Sequence, residues 1–529
     1  MRFLSLILTA FLLVGVVPSA AAQTAADPKT LVVGAAFDTK SLDPARGYEF
    51  VTMMVHKATY NTLVTLADDD FSKVVPDLAQ TWDVSPDAKV FTFHVRPGVK
   101  FQTSGNDVTS ADVKWSLDRA IAIKGNPSFL LDGIVSVEAV DPLTVRITKS
   151  DSDPAFISKG SFGVFGVLDS KTVMAHGGTS ASNAATADTA EQWLNQNSAG
   201  TGPYIMTKYT PDTEVDLQKN SSYYGGNPPF DHVIYRNIPT AAAQKLTLQA
   251  GDIDIATQVA PDSVSDLQSD PRLKVTQGQG TDLFFLLMNE SPDLASGVMA
   301  NPQVQLAVRY ALDYPGINEL VGGPAVTPAT ILPVGFLGAY GPDKAFKRDV
   351  AMAQSLLAQA GYPNGFPIDL QYPTNFTVDG VSFDVVAQKI QSDLADVGIT
   401  VTLKPGEINT ELANYRAAQE ALGFWYWGAD YFDSNDYLAF LPEGIVGKRA
   451  TWNNASSDPT IQQLRDQINV ETDNTKRAQL WQQAQDYLQQ SGPWAAVIQP
   501  GVYIAMRSNI GGYVWNPAWR VNPFTLSKT

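Results

Sequence analysis

Apolar residues change their spacing along the chain, and the changes mark out strands and helices. Leu31-Val32-Val33-Gly34-Ala35 is a continuous apolar run of the kind a buried strand needs, and Val51, Met54, Val55 and Ala58 follow at helical spacing. Residues 90–95 alternate apolar with polar, as in a half-buried antiparallel strand, and two further strands, 135–140 and 144–147, flank an Asp141-Pro142 turn. Thr109-Ser110-Ala111-Asp112 has the form of a capping box, and Val113, Leu117, Ala120 and Ile121 continue it as a helix. Residues 177–190 are almost entirely Gly, Ser, Thr, Ala and Asn, which predicts a mobile surface insertion.

Residues 283–289 are apolar almost throughout, a candidate deep strand passing between lobes. From Asn301 the rhythm becomes helix–strand. Val304, Ala307, Val308 and Ala311 line one helix, Ala353, Leu356, Leu357 and Ala360 a second, and Val386, Ile390, Leu394 and Val397 a third, with strands at 368–372 and 399–403. Such a succession implies a parallel or mixed α/β sheet. Helical stripes through Ile461, Leu464 and Ile468 and through Leu480, Trp481, Ala484 and Leu488 precede a final crossing run at 494–500.

One stretch departs from the aliphatic norm of a buried sheet: six of the nine residues from Phe424 to Phe432 are aromatic, and Asp430, Asp433 and Asp436 accompany them. At strand spacing Phe424 and Tyr426 face one side and Trp425 and Trp427 the other. Two readings stay open on the residues alone: a wall of rings beside a ligand-orienting carboxylate, or an aromatic core strand with a solvated acidic loop.

Composition narrows the classes. The 529 residues exceed one ordinary core and predict two to four lobes or domains. A net charge of −17 argues against nucleic acid and anionic membranes as partners. Arg2, an apolar run from Phe3 to Val17 and Ala20-Ala21-Ala22 read as a secretory signal cleaved before Gln23. The absence of cysteine removes disulfides and the lipid-attachment residue of a lipoprotein, so a soluble periplasmic protein is expected. His56, His94, His176 and His232 lack metal-ligand spacing, so neither metal nor cofactor is expected. A secreted hydrolase working through the acids near Asp430 is the alternative of another class, though spacing alone supplies no acid/base couple.

The order of motifs resembles the family 5 periplasmic solute-binding proteins of ABC importers. It is carried by Ser41-Leu42-Asp43-Pro44, the segments 76–82 and 91–101, Thr109-Ser110-Ala111-Asp112-Val113, Gly200-Thr201-Gly202-Pro203-Tyr204, Tyr223-Tyr224-Gly225-Gly226, the segment 356–365, Trp427-Gly428-Ala429-Asp430-Tyr431 and the segment 471–480. The resemblance implies an α/β, type II-like periplasmic binding protein whose two ligand-clasping lobes are joined by a two-segment hinge. Lobe I would comprise 28–62, 197–287 and 497–529, an inserted domain 63–196, and lobe III 288–496. It also implies a monomer without enzymatic activity that captures a small peptide or peptide-like solute and delivers it to permease subunits served by a separate ATPase. Carried over by position, Asp430 takes the ligand's ammonium and Trp427 packs beside it, with Tyr48, Phe50 and Tyr503 near ligand-contact segments. The Arg that dipeptide-binding relatives place after the 368–372 strand is missing from Pro373-Thr374-Asn375-Phe376-Thr377. Arg416 is a substitute candidate or else a solvated helix residue. The extra rings of Trp425 and Tyr426 keep opines, sugar conjugates and other amphipathic solutes open.

Overall fold

The computed structural model describes residues 29–529; the expected signal segment and its cleavage point lie outside the described residues. The first large sheet has seven strands, in the order Leu273–Gln279, Gly501–Arg507, Ile255–Ala256, Thr30–Ala35, His232–Asn237, Glu214–Lys219, Tyr204–Thr210. The run at 31–35 becomes the parallel partner of His232–Asn237, with Leu31 and Val33 fully buried. Helix Phe50–Thr59 presents Val51, Met54, Val55 and Ala58 to the same core, as its spacing predicts.

A second, antiparallel sheet takes the order Ala79–Val84, Val90–Val95, Thr144–Lys149, Ile134–Asp141. Helix Ser110–Ile123 packs on it, and its capping box is formed: the Asp112 carboxylate accepts the Thr109 N–H at 3.0 Å. The same helix fixes the low-complexity segment, which is not the mobile insertion its composition predicts. Arg119, 1% exposed, donates through Nε to Asp188 at 2.8 Å and through Nη1 and Nη2 to Asp43 at 2.8 and 2.7 Å. Ala184 and Ala190, on either side of Asp188, are fully buried. A run of small residues packs closely here because one carboxylate within it neutralises a buried guanidinium.

The third sheet is mixed, in the order Thr400–Gly406, Pro367–Pro373, Leu422–Trp427, Leu283–Met288, Trp494–Ile498. The first three strands run parallel and the last two pair antiparallel. Helices Pro302–Ala311, Val350–Gln359 and Phe383–Ala395 put Val304, Leu357 and Ile390 against one face, where Phe424 lies. Ile461 and Trp481 of Pro459–Val470 and Asn474–Leu488 lie in the cluster on the other face, with Phe285, Trp425 and Trp494. That second cluster continues into the antiparallel sheet through Phe91, Phe156 and Phe165, so one apolar core spans both regions.

The chain passes between the first and third sheets twice. Leu273–Gln279 leads through residues 280–282 into Leu283–Met288, and Trp494–Ile498 leads through Gln499 and Pro500 into Gly501–Arg507. The crossings lie side by side. Gly280 N–H donates to Pro500 O at 3.2 Å, and the Gln499 side chain donates to Gly280 O at 2.8 Å. A Cβ on Gly280 would fall 2.4 Å from Pro500 O, so only glycine permits this approach. Among the described residues no helix is long and apolar enough to cross a membrane.

Candidate functional site

The aromatic strand Leu422–Trp427 ends where the three regions meet. Its rings alternate as the period of two requires: Phe424 and Tyr426 pack with the cluster that includes Phe383, Trp425 and Trp427 with the one that includes Phe440. Trp425 has no surface to offer a ligand in this conformation. It is 2% exposed, stacks on Tyr415 with ring centroids 4.5 Å apart, and donates its indole N–H to Glu420 at 2.6 Å. Trp427 is half-buried and donates its N–H to Asp436 at 3.0 Å.

Beyond Trp427 the chain turns so that the Asp430 N–H also reaches Asp436, at 3.2 Å. The two carboxylates then differ in kind. Asp436 is buried and accepts two N–H donors, yet burial, followed by the neighbouring Asp430, holds its pKa well above the carboxylate range. The Asp430 carboxylate accepts no hydrogen bond from any described residue. Burial pushes its pKa up to about 6, and the more distant Arg449 offsets this only in part. Asp433 is committed elsewhere, capping the turn at Ser434–Phe440 and pairing with Arg477. The three acids therefore include no general acid/base couple bracketing an open space.

Other segments close on this corner. Tyr48 of the first lobe donates its hydroxyl to the Asp430 carbonyl at 2.5 Å, and Ser158 beside the antiparallel sheet donates to Phe432 O at 3.0 Å. Phe162 and Phe432 stack at 5.6 Å. Tyr48 loses acidity through burial first and then through Asp430 and Asp436. These contacts describe lobes in apposition.

The remaining expected residues divide. Phe50 and Tyr503 lie toward the crossing strands. Arg520 places its guanidinium carbon 4.3 Å from the Phe50 ring centroid. Arg520 and Tyr503 line a cavity of about 390 Å³ between the first and third sheets' regions, together with Asp379 and Thr377. Tyr426 faces the same quarter: its acidity is lowered first by burial and then by Asp282 and Asp379. Arg416 does not reach the cleft. It is exposed in the last turn of helix Ile408–Arg416, at the start of the aromatic strand, whereas Asp430 follows that strand's end, about 20 Å away at strand rise.

Composition did not single out Asp282, Asp379 or Arg520, because each is isolated in sequence and they meet only through the crossing. A second cavity of about 190 Å³, lined by Met53, Lys57, Asp77, Tyr223 and Trp519, lies between helix Phe50–Thr59 and the C-terminal segment. No group of three or more metal-ligating side chains converges among the described residues.

The profile of the bacterial extracellular solute-binding proteins, family 5 (middle region) matches residues 73–444. The chain is 27% identical to di/tripeptide-binding protein 2 of Pseudomonas aeruginosa (strain UCBPP-PA14), over 97% of this chain and 96% of that protein. Among solved structures, HbpA2 from Haemophilus parasuis superposes with a TM-score of 0.82 at 25% identity, covering 94% of this chain and 100% of that one. AgaA from A.tumefacien R10, in complex with agropinic acid, does so with 0.70 at 26%, covering 94% and 99%.

Proposed function

The chain belongs to the bacterial extracellular solute-binding proteins of family 5, and from that membership we propose that it captures a peptide or peptide-like amine-bearing solute in the periplasm by lobe closure. The architecture is the two-lobed α/β, type II-like fold of that family. Lobe I takes 28–62, 197–287 and 497–529, the inserted domain 63–196 and lobe III 288–496. Permease subunits with a separate ATPase are the partners of the closed, monomeric state. The role is binding and delivery, without covalent chemistry.

The observation that carries the reading is the Asp430 carboxylate, buried among rings at the meeting of three regions without a cation. A buried carboxylate in that position is costly, and a solute ammonium relieves the cost with a charge-assisted hydrogen bond. Tyr48 and Trp427 flank the place the ammonium occupies. Closure follows because contacts from both lobes favour the closed state. A non-peptide solute of the opine kind is the second reading. It draws on the likeness to AgaA and on Phe50, Tyr426 and Tyr503, which add ring surface beyond Trp427.

Native mass spectrometry of the mature protein, followed by denaturation and identification of released molecules, separates the two. A ladder of short peptides supports the first reading, and a single amine-bearing acid of non-peptide mass the second. Release of a solute without an amine overturns the assignment of Asp430.

A further inference from the structure

The cavity between the lobes holds a cation that the ammonium-binding corner does not use. Arg520 is the one Lys, Arg or His lining the 390 Å³ space. Its guanidinium is oriented by two contacts: its carbon sits 4.3 Å from the Phe50 ring centroid, and Nη2 donates to Asp379 at 3.2 Å. A guanidinium carries five donors in a fixed fork. The Asp379 contact uses one, and Nε and Nη1 meet no acceptor among the described residues. Side-chain exposure of 15% leaves this edge open toward the cavity rather than to bulk solvent.

Asp379 is itself tied to lobe III, hydrogen-bonded to Asp282. Asp282 Oδ1 in turn lies 3.2 Å from where a Cβ on Gly428 would sit, two residues before Asp430. A continuous polar path thus runs from Asp430 through Asp282 and Asp379 to Arg520. An unpaired carboxylate stands at one end of it and a guanidinium with free donors at the other.

We propose that Arg520 is the receptor for a carboxylate of the solute, so that the cleft reads a zwitterion: ammonium at Asp430, carboxylate at Arg520. Asp379 is the placeholder that keeps the guanidinium aimed while the cleft is empty. Guanidinium and carboxylate match in a planar, bidentate fork, and stacking on Phe50 fixes that plane. The inference rests on reading Asp430 as the ammonium anchor and narrows it to short solutes with a free acid. It also locates, on the opposite lobe, the function of the Arg missing from residues 373–377.

Titration calorimetry with the dipeptide Ala-Phe and its C-terminal amide tests this. The wild type should bind the acid at least about tenfold more tightly than the amide, the scale of a charge-assisted contact. Arg520→Gln should erase that preference by weakening the acid alone, and Arg520→Lys should restore part of it. Asp379→Asn, which frees the guanidinium, should leave acid binding unchanged or tighter. If Arg520→Gln and Asp379→Asn weaken acid and amide equally, the pair is only a latch between lobes and the proposal fails. Equal wild-type affinity for acid and amide overturns it while leaving the ammonium reading intact. A wild type that binds neither probe overturns the peptide reading and this inference with it.

Discussion

Two buried sets of charge in this molecule are built to opposite rules. Arg119 reaches Asp43 and Asp188 through four hydrogen bonds, all three side chains essentially without exposure. Asp430 and Asp436 share a corner with three aromatic rings and no paired cation. A buried charge persists only when its desolvation is compensated, so the first set is complete as it stands and the second lacks a component. The difference separates architecture from recognition: the satisfied trio ties the first lobe and the small-residue segment to the antiparallel sheet, while the unsatisfied pair marks where the solute completes the structure.

The sharpest way to break this comparison is to remove Arg119. Arg119→Met strands two buried carboxylates and should cost about 3–5 kcal/mol in denaturant unfolding, with solute affinity of the folded fraction unchanged. A loss below about 1 kcal/mol, the worth of an exposed pair, would show the trio to be no different from surface charges. Asp430→Asn should do the reverse. Affinity for an amine-bearing solute should fall by about 1.5–3 kcal/mol in calorimetry, while the thermal midpoint of the empty protein holds or rises because a buried charge is gone.

Acidity offers a smaller, graded test. Asp430 titrates at about 6 in the folded protein against 3.8 for the ordinary side chain. The folded state therefore takes the proton first, and stability of the empty protein declines as pH rises from 3.8 through about 6. Solute binding needs the ionised form and runs the other way: affinity is full above pH 7 and weakens toward tenfold per unit, about 1.4 kcal/mol, as pH falls below 6. Asp430→Asn should flatten both profiles. Smallest of all, Trp427→Phe keeps the ring but removes one of the two donors to Asp436, with an expected loss of about 1 kcal/mol in affinity and a reduced fluorescence response to solute.

Much of this was legible in the residues. The stripe Val51, Met54, Val55, Ala58, the Thr109–Asp112 box and the two crossing runs appear as their spacing predicts, because local periodicity and capping chemistry decide them. The alternation of the aromatic strand was also legible, but not the depth of each ring. Trp425 and Trp427 share a face, and only the Tyr415 and Glu420 contacts bury the first while the second stays at the rim. Composition misread residues 177–190 because the anchor, Asp188 to Arg119, spans 69 positions. Arg520 and Asp379, 141 positions apart, escaped for the same reason: pairings made by topology leave no local signal.

The side-by-side crossing also sets the order in which the molecule can be made. Strand Gly501–Arg507 sits inside the seven-stranded sheet, between Leu273–Gln279 and Ile255–Ala256, so the first lobe has a gap until some 500 residues of chain are present. Closing so distant a contact is slow, and until it happens the hydrogen-bonding edges of both neighbours stand open. The same late strand that lets the lobes swing on paired crossings therefore makes assembly of the lobe all-or-none. A chain cut before residue 501 would lose a whole sheet rather than a tail.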